Sequence, residues 1–430
     1  MEYESAKLAV AVAANSGKSS SRLGLWLVKG KRRVVPSGSL LDQALGYARV
    51  TAAMGLNYLL GEHSGDGDGR ATRTGAPGST HVVQAREADG VTAAAGASAG
   101  VDEPLFSVIM PVFNAQRSRP DYLRSALDSI AAQTYRGFEL IIVDDGSTDD
   151  TIAVVQSWLQ SHDDLDVTVL RKENGGQSSA RNLAASHARG AWLTFLDQDD
   201  LWVPKRLESA QPLLTSDVDL VYSDADTIDA DGHLEHARIH VTLRAGGRHP
   251  KTTAEDALYR DVYVMPGVMA MRRELFARLN GFDEDLSGYE DDDLFLRALS
   301  TARVAYYPLP TLKWRTYDHN YSRSGRMVAS RSNYWRKLMR DYADGGRASR
   351  RARLITLRFL REFLTQCILL QDEDPALAAQ NFEAALELVP HLGVVDRCAF
   401  AATEWAWTRP DDRAAYLARW WFVNGLQRSS

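Results

Sequence analysis

Glu139-Leu140-Ile141-Ile142-Val143 runs directly into Asp144-Asp145-Gly146-Ser147-Thr148-Asp149. The first five residues are a nearly continuous apolar run. That is the pattern of a strand buried on both faces, as in a parallel sheet. The next six are acidic, polar and turn-forming. A buried strand that breaks into such a cluster marks the sheet edge where open α/β folds bind ligands.

The same pattern repeats on either side. Leu105–Pro111 predicts a strand, and Pro111, Phe113 and Asn114 follow it. Val167–Leu170 predicts another, followed by Lys172, Asn174 and Gly175. Ala191–Leu196 predicts a fourth, which ends in Asp197-Gln198-Asp199-Asp200. Helical spacing of apolar residues marks Asp121–Gln133, Thr151–Ser161 and Ser179–Arg189. Strand and helix alternate, which predicts βαβ connections and a doubly wound, mostly parallel sheet. Four polar clusters then meet on one edge, which reads as a site.

Composition narrows the function. The chain has 430 residues, 45% hydrophobic and 25% charged, an ordinary globular balance with room for two or three domains. A net charge of -6 argues against a nucleic-acid partner. Two cysteines, Cys367 and Cys398, supply neither a disulfide framework nor zinc spacing. No run approaches a membrane span. Leu8–Ala14 is apolar, but Glu2 and Glu4 stand where a signal peptide carries positive charge. The expected location is cytoplasmic, with peripheral attachment at the inner face of the membrane as an option.

Two acidic clusters carry the chemistry. Asp197, Asp199 and Asp200 crowd three carboxylates into four positions, which is costly unless a proton or a cation relieves it. Hard carboxylate oxygens suit Mg2+ or Mn2+. Glu290-Asp291-Asp292-Asp293 opens the helical stretch Leu294–Arg297. Helix-dipole and capping chemistry accounts for one or two acids in a first turn, not comfortably for four. One of them can serve as a general base. Gly175–Asn182 opens a helix with Arg181 one turn inside. Its backbone N–H groups can face phosphate, although glycine at a helix start is also ordinary loop chemistry.

Phe106–Asn114, Glu139–Asp149, Gly175–Asn182, Phe195–Trp202 and Glu290–Arg297, in that order, resemble the family 2 glycosyltransferases of the GT-A fold. The resemblance spans roughly Pro104 to Ser324. It implies inverting transfer of a sugar from a nucleotide diphosphate sugar, UDP preferred, to an acceptor hydroxyl in polysaccharide or glycoconjugate synthesis. By position it assigns Pro111, Phe113, Asn114, Asp144, Asp145, Lys172, Gly175, Arg181, Asp197 and Gln198 to the nucleotide sugar. Asp197 and Asp199 stand as a DxD motif for Mn2+ or Mg2+. Asp291 matches the catalytic aspartate, with Asp292 and Glu290 beside it as further candidates. Where members often carry a metal-binding histidine, this chain has Tyr317, with His319 two residues on. Two other readings compete: a nucleotide-sugar or glycan-binding module without turnover, and a nucleotidyltransferase. Pro111–Pro120 lacks the glycine-rich loop of the latter.

Three regions are expected: residues 1–103 as a low-complexity, disordered extension, 104–330 as the catalytic domain, and 331–430 as helices. Within the first, Ser39–Leu60 has helical spacing. Between Tyr222 and Met271, Asp224 and Gly267 are the acceptor-side candidates. The acceptor is a glycan, lipid-linked or other hydroxyl compound. Ala376–Pro390 looks like a helical-repeat element suited to protein association. Leu417–Phe422 is a minority candidate for docking on a membrane surface, and Trp405, Trp407, Trp420 and Trp421 read as helical core.

Overall fold

A computed structural model describes residues 82–84, 105–243, 245, 247–251, 253–317, 325–344 and 349–407, with 415, 418, 419, 422 and 423. Ser39–Leu60 and His319 lie outside the described residues, as do Leu417, Trp420 and Trp421 of Leu417–Phe422.

The first described strand is β1 (Val82–Gln84). The alternation then unfolds as β2 (Phe106–Val112), α1 (Ala115–Ser118), α2 (Pro120–Ala131), β3 (Phe138–Asp144), α3 (Thr151–Leu159), β4 (Val167–Arg171), α4 (Gln177–His187) and β5 (Trp192–Phe195). After β5 come β6 (Leu201–Trp202), α5 (Arg206–Ala210), β7 (Leu220–Ile228), β8 (Leu234–His236), α6 (Ile239–Thr242) and α7 (Ala254–Leu258). The sheet is completed by β9 (Met269–Arg272), α8 (Arg273–Arg278), α9 (Glu290–Leu299) and β10 (Val304–Arg315). Helices α10 (Gly325–Tyr342), α11 (Arg350–Leu370) and α12 (Pro375–Leu388) follow and pack on one another.

The strands form one mixed sheet in the order β1-β10-β7-β9-β5-β2-β3-β4, with β6 beside β10 and β8 beside β7. Strands β5, β2, β3 and β4 are parallel, whereas β9 runs antiparallel between β5 and β7. Every residue of β3 is buried, as an apolar run through the sheet centre requires. β4 is the exposed edge strand.

Register brings the polar clusters together. Val112 is level with Asp144, and Asp144 with Arg171. Across the other side of β2, Ile109 is level with Phe195, and the Leu196 N–H donates to the Ile109 carbonyl at 3.0 Å. The loops after four parallel strands therefore leave one edge of the sheet together.

Val394–Phe422 belongs to a second compact unit, containing α13 (Val394–Trp407). In it Phe400 packs edge-on against Phe422, with centroids 5.9 Å apart. No helix among the described residues is long and apolar enough to cross a membrane.

Candidate active site

The loop after β5 is clasped to the loop after β2. Gln198 accepts from the Phe113 N–H at 2.8 Å and donates back to the Phe113 carbonyl at 3.2 Å. This two-point bond uses both ends of the Gln198 amide, so Gln198 fixes the loop. Phe113 itself is 43% exposed, a free aromatic face at the sheet edge. Asn114 sits in the left-handed region (φ 45°), and its side chain accepts from the Thr148 N–H at 2.9 Å. Pro111 is half-buried in β2.

Asp144 and Asp145 are both buried and both engaged. Asp144 accepts from the Ser147 N–H and pairs with Arg171 at 3.0 Å. Asp145 accepts from the Gly175 and Gly176 N–H groups at 2.9 and 2.7 Å, from Lys172 Nζ at 2.8 Å and from Asn174 Nδ2 at 3.1 Å. The glycine-loop donors that could face a phosphate are thus aimed at a carboxylate of the protein. Gly176 takes φ 89°, open to glycine at no steric cost. Lys172 and Gly175 belong to this hub.

Arg181 is almost fully buried. Its Nη2 lies 2.5 Å from Asp197 Oδ1, and its Nη1 2.9 Å from Glu290 Oε1. One guanidinium thereby ties the acidic end of β5 to the first residue of α9. Gln177 Nε2 adds a 2.5 Å bond to Glu290 Oε1, and the Gly288 N–H donates to Oε2. Phe282 lies under the Arg181 guanidinium, 5.3 Å away.

Asp199 Oδ2 accepts from Tyr317 Oη at 2.8 Å. Burial, and then the neighbouring Asp197, push the Asp199 carboxyl above its ordinary range. Asp200 is buried deeper, accepts from the Arg315 N–H at 2.8 Å, and is pushed up further by burial and by Asp199 and Asp197. Arg315 also donates to the Asp199 carbonyl at 2.9 Å and stacks over Tyr122, 4.2 Å away. Asp200 is an anchor for β10; Asp197 and Asp199 are half-buried.

Among the described residues no group of three or more His, Cys, Asp or Glu side chains converges as a metal nest. The donor set nevertheless fits a hard divalent ion. Mg2+ characteristically takes one or two carboxylates and completes its shell with substrate phosphate and water. Asp197 and Asp199 are two carboxylates whose proximity raises the cost of ionising Asp199, the condition a cation relieves.

The four acids of α9 have different neighbours. Glu290 is held by Arg181 and Gln177. Asp292 pairs with Arg358 Nη2 at 2.9 Å and accepts from the Val262 N–H at 3.1 Å. Asp293 pairs with Arg297 at 2.8 Å and Lys337 at 2.7 Å. Asp291 has no cationic partner among the described residues. Its Oδ1 accepts only from the adjacent Asp292 N–H, at 2.9 Å. Burial, then Glu290 and Asp292, hold its carboxyl well above the usual range. The acids are launched from Tyr289, a bulky residue at φ 66° in the left-handed region, whose hydroxyl donates to Glu362 at 2.6 Å.

The acceptor-side candidates are structural in their contacts. Asp224 accepts from the His240 and Val241 N–H groups and so holds the start of α6. Gly267 packs where a Cβ would stand 2.8 Å from Leu312, and its carbonyl accepts from Trp202 Nε1.

Residues 107–279 match the family description "Glycosyl transferase family 2", and residues 248–319 match "N-terminal domain of galactosyltransferase". Residues 107–279 are thus similar to the glycosyl transferase family 2 domain. An uncharacterized glycosyltransferase of Rickettsia typhi is 29% identical over 221 residues, 50% of this chain and 65% of that one. An uncharacterized glycosyltransferase of Methanocaldococcus jannaschii is 32% identical over 202 residues, 46% of this chain and 66% of that one. The chain thus spans slightly less than two thirds of these relatives. Staphylococcus aureus TarS, residues 1–349 in complex with UDP-GlcNAc, shares the fold at a TM-score of 0.51 and 19% identity, covering 75% of this chain and 91% of that one.

The family 2 motifs led to the strand ends but not to the support behind α9. Arg358 and Glu362, from α11, were missed. A signal existed: they are four residues apart on a helix whose buried positions are mostly apolar, among them Leu354, Ile355, Leu357 and Phe359. Charges on an apolar face imply a buried partner.

Proposed function

We propose that this chain transfers a sugar from a nucleotide diphosphate sugar to an acceptor hydroxyl, with inversion at the anomeric carbon. The observation that carries the proposal is Asp291: among the described residues it alone of the four acids of α9 lacks a cationic partner, while the helix that bears it is tied through Arg181 to Asp197.

In this reading, Phe113 offers its exposed ring to the donor's nucleoside, with Pro111 and Asn114 beside it. The Asp145 hub and the Gln198 clasp keep the two loops at a fixed separation. Asp199 and Asp197 would hold Mn2+ or Mg2+, which supplies Lewis-acid neutralisation of the departing diphosphate. Tyr317 orients Asp199. Asp291 takes the proton from the acceptor hydroxyl. Its raised pKa brings it nearer the working range of a general base, and such assistance contributes ~100- to 10,000-fold. In-line attack needs no enzyme nucleophile, so a single displacement inverts the centre. Asp292, Asp293 and Glu290 hold the helix in place.

The test is a panel of UDP-, dTDP- and GDP-sugars with Mn2+ or Mg2+, followed by nucleoside diphosphate release. Slow hydrolysis of at least one donor, lost in Asp199→Asn and Asp291→Asn, is the expected result. Tight donor binding with no turnover under any acceptor would favour a binding module instead.

A further inference from the structure

A cleft of about 550 Å3 lies among His240, Arg248, His249, Arg260 and Tyr306. That is the size of a small-molecule site. Its wall is aromatic. The His240 and His249 imidazoles stack with centroids 4.0 Å apart and 10° between planes, and Tyr306 lies 5.6 Å from His249. His249 has spent its polar atoms: Nε2 donates to the Ala245 carbonyl at 2.8 Å, and Nδ1 accepts from Tyr222 Oη at 3.1 Å. Burial, and then His240, hold it at about 3, so it is neutral near pH 7.

The charge in the cleft comes from Arg248 and Arg260, both exposed. Neither has a carboxylate partner among the described residues. The nearby acids are occupied elsewhere. Glu255 pairs with Arg351 at 2.8 Å, Asp256 closes the capping box of α7 with Thr253, and Asp224 holds the His240 and Val241 N–H groups. Gly247, at φ 88°, leaves room for the Arg260 guanidinium: a Cβ there would stand 3.1 Å from Nη1. Two unpaired guanidiniums over a neutral aromatic wall are suited to an oxyanion, which Arg binds in bidentate fashion.

The cleft lies on the side of α9 that carries the candidate base. Tyr222 packs edge-on against His249, with centroids 5.8 Å apart, and against Phe295, 5.3 Å apart. Phe295 is four residues beyond Asp291, so the two share a helix face. The cleft is displaced from the donor end of the site. Tyr306 belongs to β10, three strands from β5 in the sheet order, roughly 14 Å at ordinary strand spacing.

We propose that this cleft binds an oxyanion, a phosphate or carboxylate carried by the acceptor one or more units away from the hydroxyl that reacts. The proposal rests on the transferase reading for the word acceptor, and on the cleft alone for the oxyanion. The enzyme would therefore select anionic over neutral acceptors of the same shape.

The experiment is calorimetric titration of the full chain with two matched pairs: glycerol 3-phosphate against glycerol, and glucuronic acid against glucose. The oxyanion of at least one pair should bind saturably and its neutral partner should not. Which pair responds tells phosphate from carboxylate. In R248Q/R260Q that binding should weaken about tenfold or more per guanidinium removed, with thermal melting as the folding control. R248K/R260K, which keeps charge without the planar fork, should recover part of it. No discrimination between the partners in either pair, or unchanged binding in R248Q/R260Q, overturns the proposal. If no nucleotide sugar is turned over, the transferase reading falls while these titrations still decide the cleft.

Discussion

Arg358, on α11, holds Asp292, on α9, through a 2.9 Å bond from Nη2 to Oδ2, both side chains being buried. The same guanidinium donates to the Ala257 carbonyl at 2.8 Å and pairs with Glu362 at 2.9 Å. Glu362 in turn receives the Tyr289 hydroxyl, immediately before α9. The helical region after the sheet thus braces the helix that carries Asp291. Cutting one side of a buried pair strands the other charge, at a cost of ~3–5 kcal/mol. Asp292→Asn and Arg358→Gln should each lower the melting temperature sharply. Asp291→Asn should not, yet should lose ~100- to 10,000-fold in turnover with donor affinity kept. Melting curves and nucleotide titrations on the three variants check this. Loss of turnover in Asp292→Asn at unchanged melting temperature would move the base by one residue.

Asp291 predicts a pH dependence with a definite sign. Its folded-state pKa is raised, so the native chain holds its proton more firmly than the unfolded chain does. Stability therefore falls as pH rises from the unfolded value, ~3.9, through the folded value. Above the unfolded value that stability is progressively lost, so at pH 7 Asp291→Asn should melt higher than the wild type. Below the ordinary carboxylate pKa the advantage should vanish. Turnover has the opposite sense, since the base must be ionised: its acid limb should lie above pH ~4. Melting and turnover measured over one pH series test both halves. A variant that melts lower than the wild type at pH 7 contradicts the first.

The sheet was legible because its signal is local. β2, β3, β4 and β5 follow from apolar runs, and their register aligns Val112, Asp144 and Arg171 without further information. Polar positions were legible too, but not their partners. Asp145 and Gly175 stand 30 residues apart and bond at 2.9 Å, and Arg181 reaches 109 residues to Glu290. Nothing in spacing tells a carboxylate that faces ligand from one that faces a backbone N–H. Sequence put Asp291 first by resemblance but left Asp292 open as the base. The difference between them is Arg358, which lies 66 residues beyond Asp292 and is visible only once α11 packs.

Tyr317 should tune ion binding through Asp199. Its hydroxyl donates to Asp199 Oδ2, the contact through which an outer partner orients a ligand. Removing such a partner typically weakens metal affinity by ~10- to 100-fold. Tyr317→Phe should therefore raise the Mn2+ concentration needed for half-maximal nucleotide binding, while leaving the nucleotide requirement at saturating Mn2+ nearly unchanged. Asp199→Asn should abolish the metal dependence altogether. An unchanged Mn2+ titration in Tyr317→Phe would show that Asp199 is oriented by other contacts, such as the Arg315 bond to its carbonyl.

Arg181 makes the sharpest distinction between holding nucleotide and holding the site together. Its guanidinium is almost fully buried, with Nη2 on Asp197 and Nη1 on Glu290. A lysine has one ammonium and cannot span both carboxylates with the same fork. Arg181→Lys should leave Glu290 or Asp197 without its partner, shift the start of α9 relative to the DxD loop, and lower turnover by more than tenfold, since misplacement by ~1 Å costs ~100-fold. If Arg181 instead contacts the nucleotide directly, Arg181→Lys should mainly raise the donor KM and leave kcat intact. If it positions the two acidic clusters, kcat should fall first, and the melting temperature with it. Steady-state kinetics with a saturating donor series separates the two, and the buried double bridge predicts the fall in kcat.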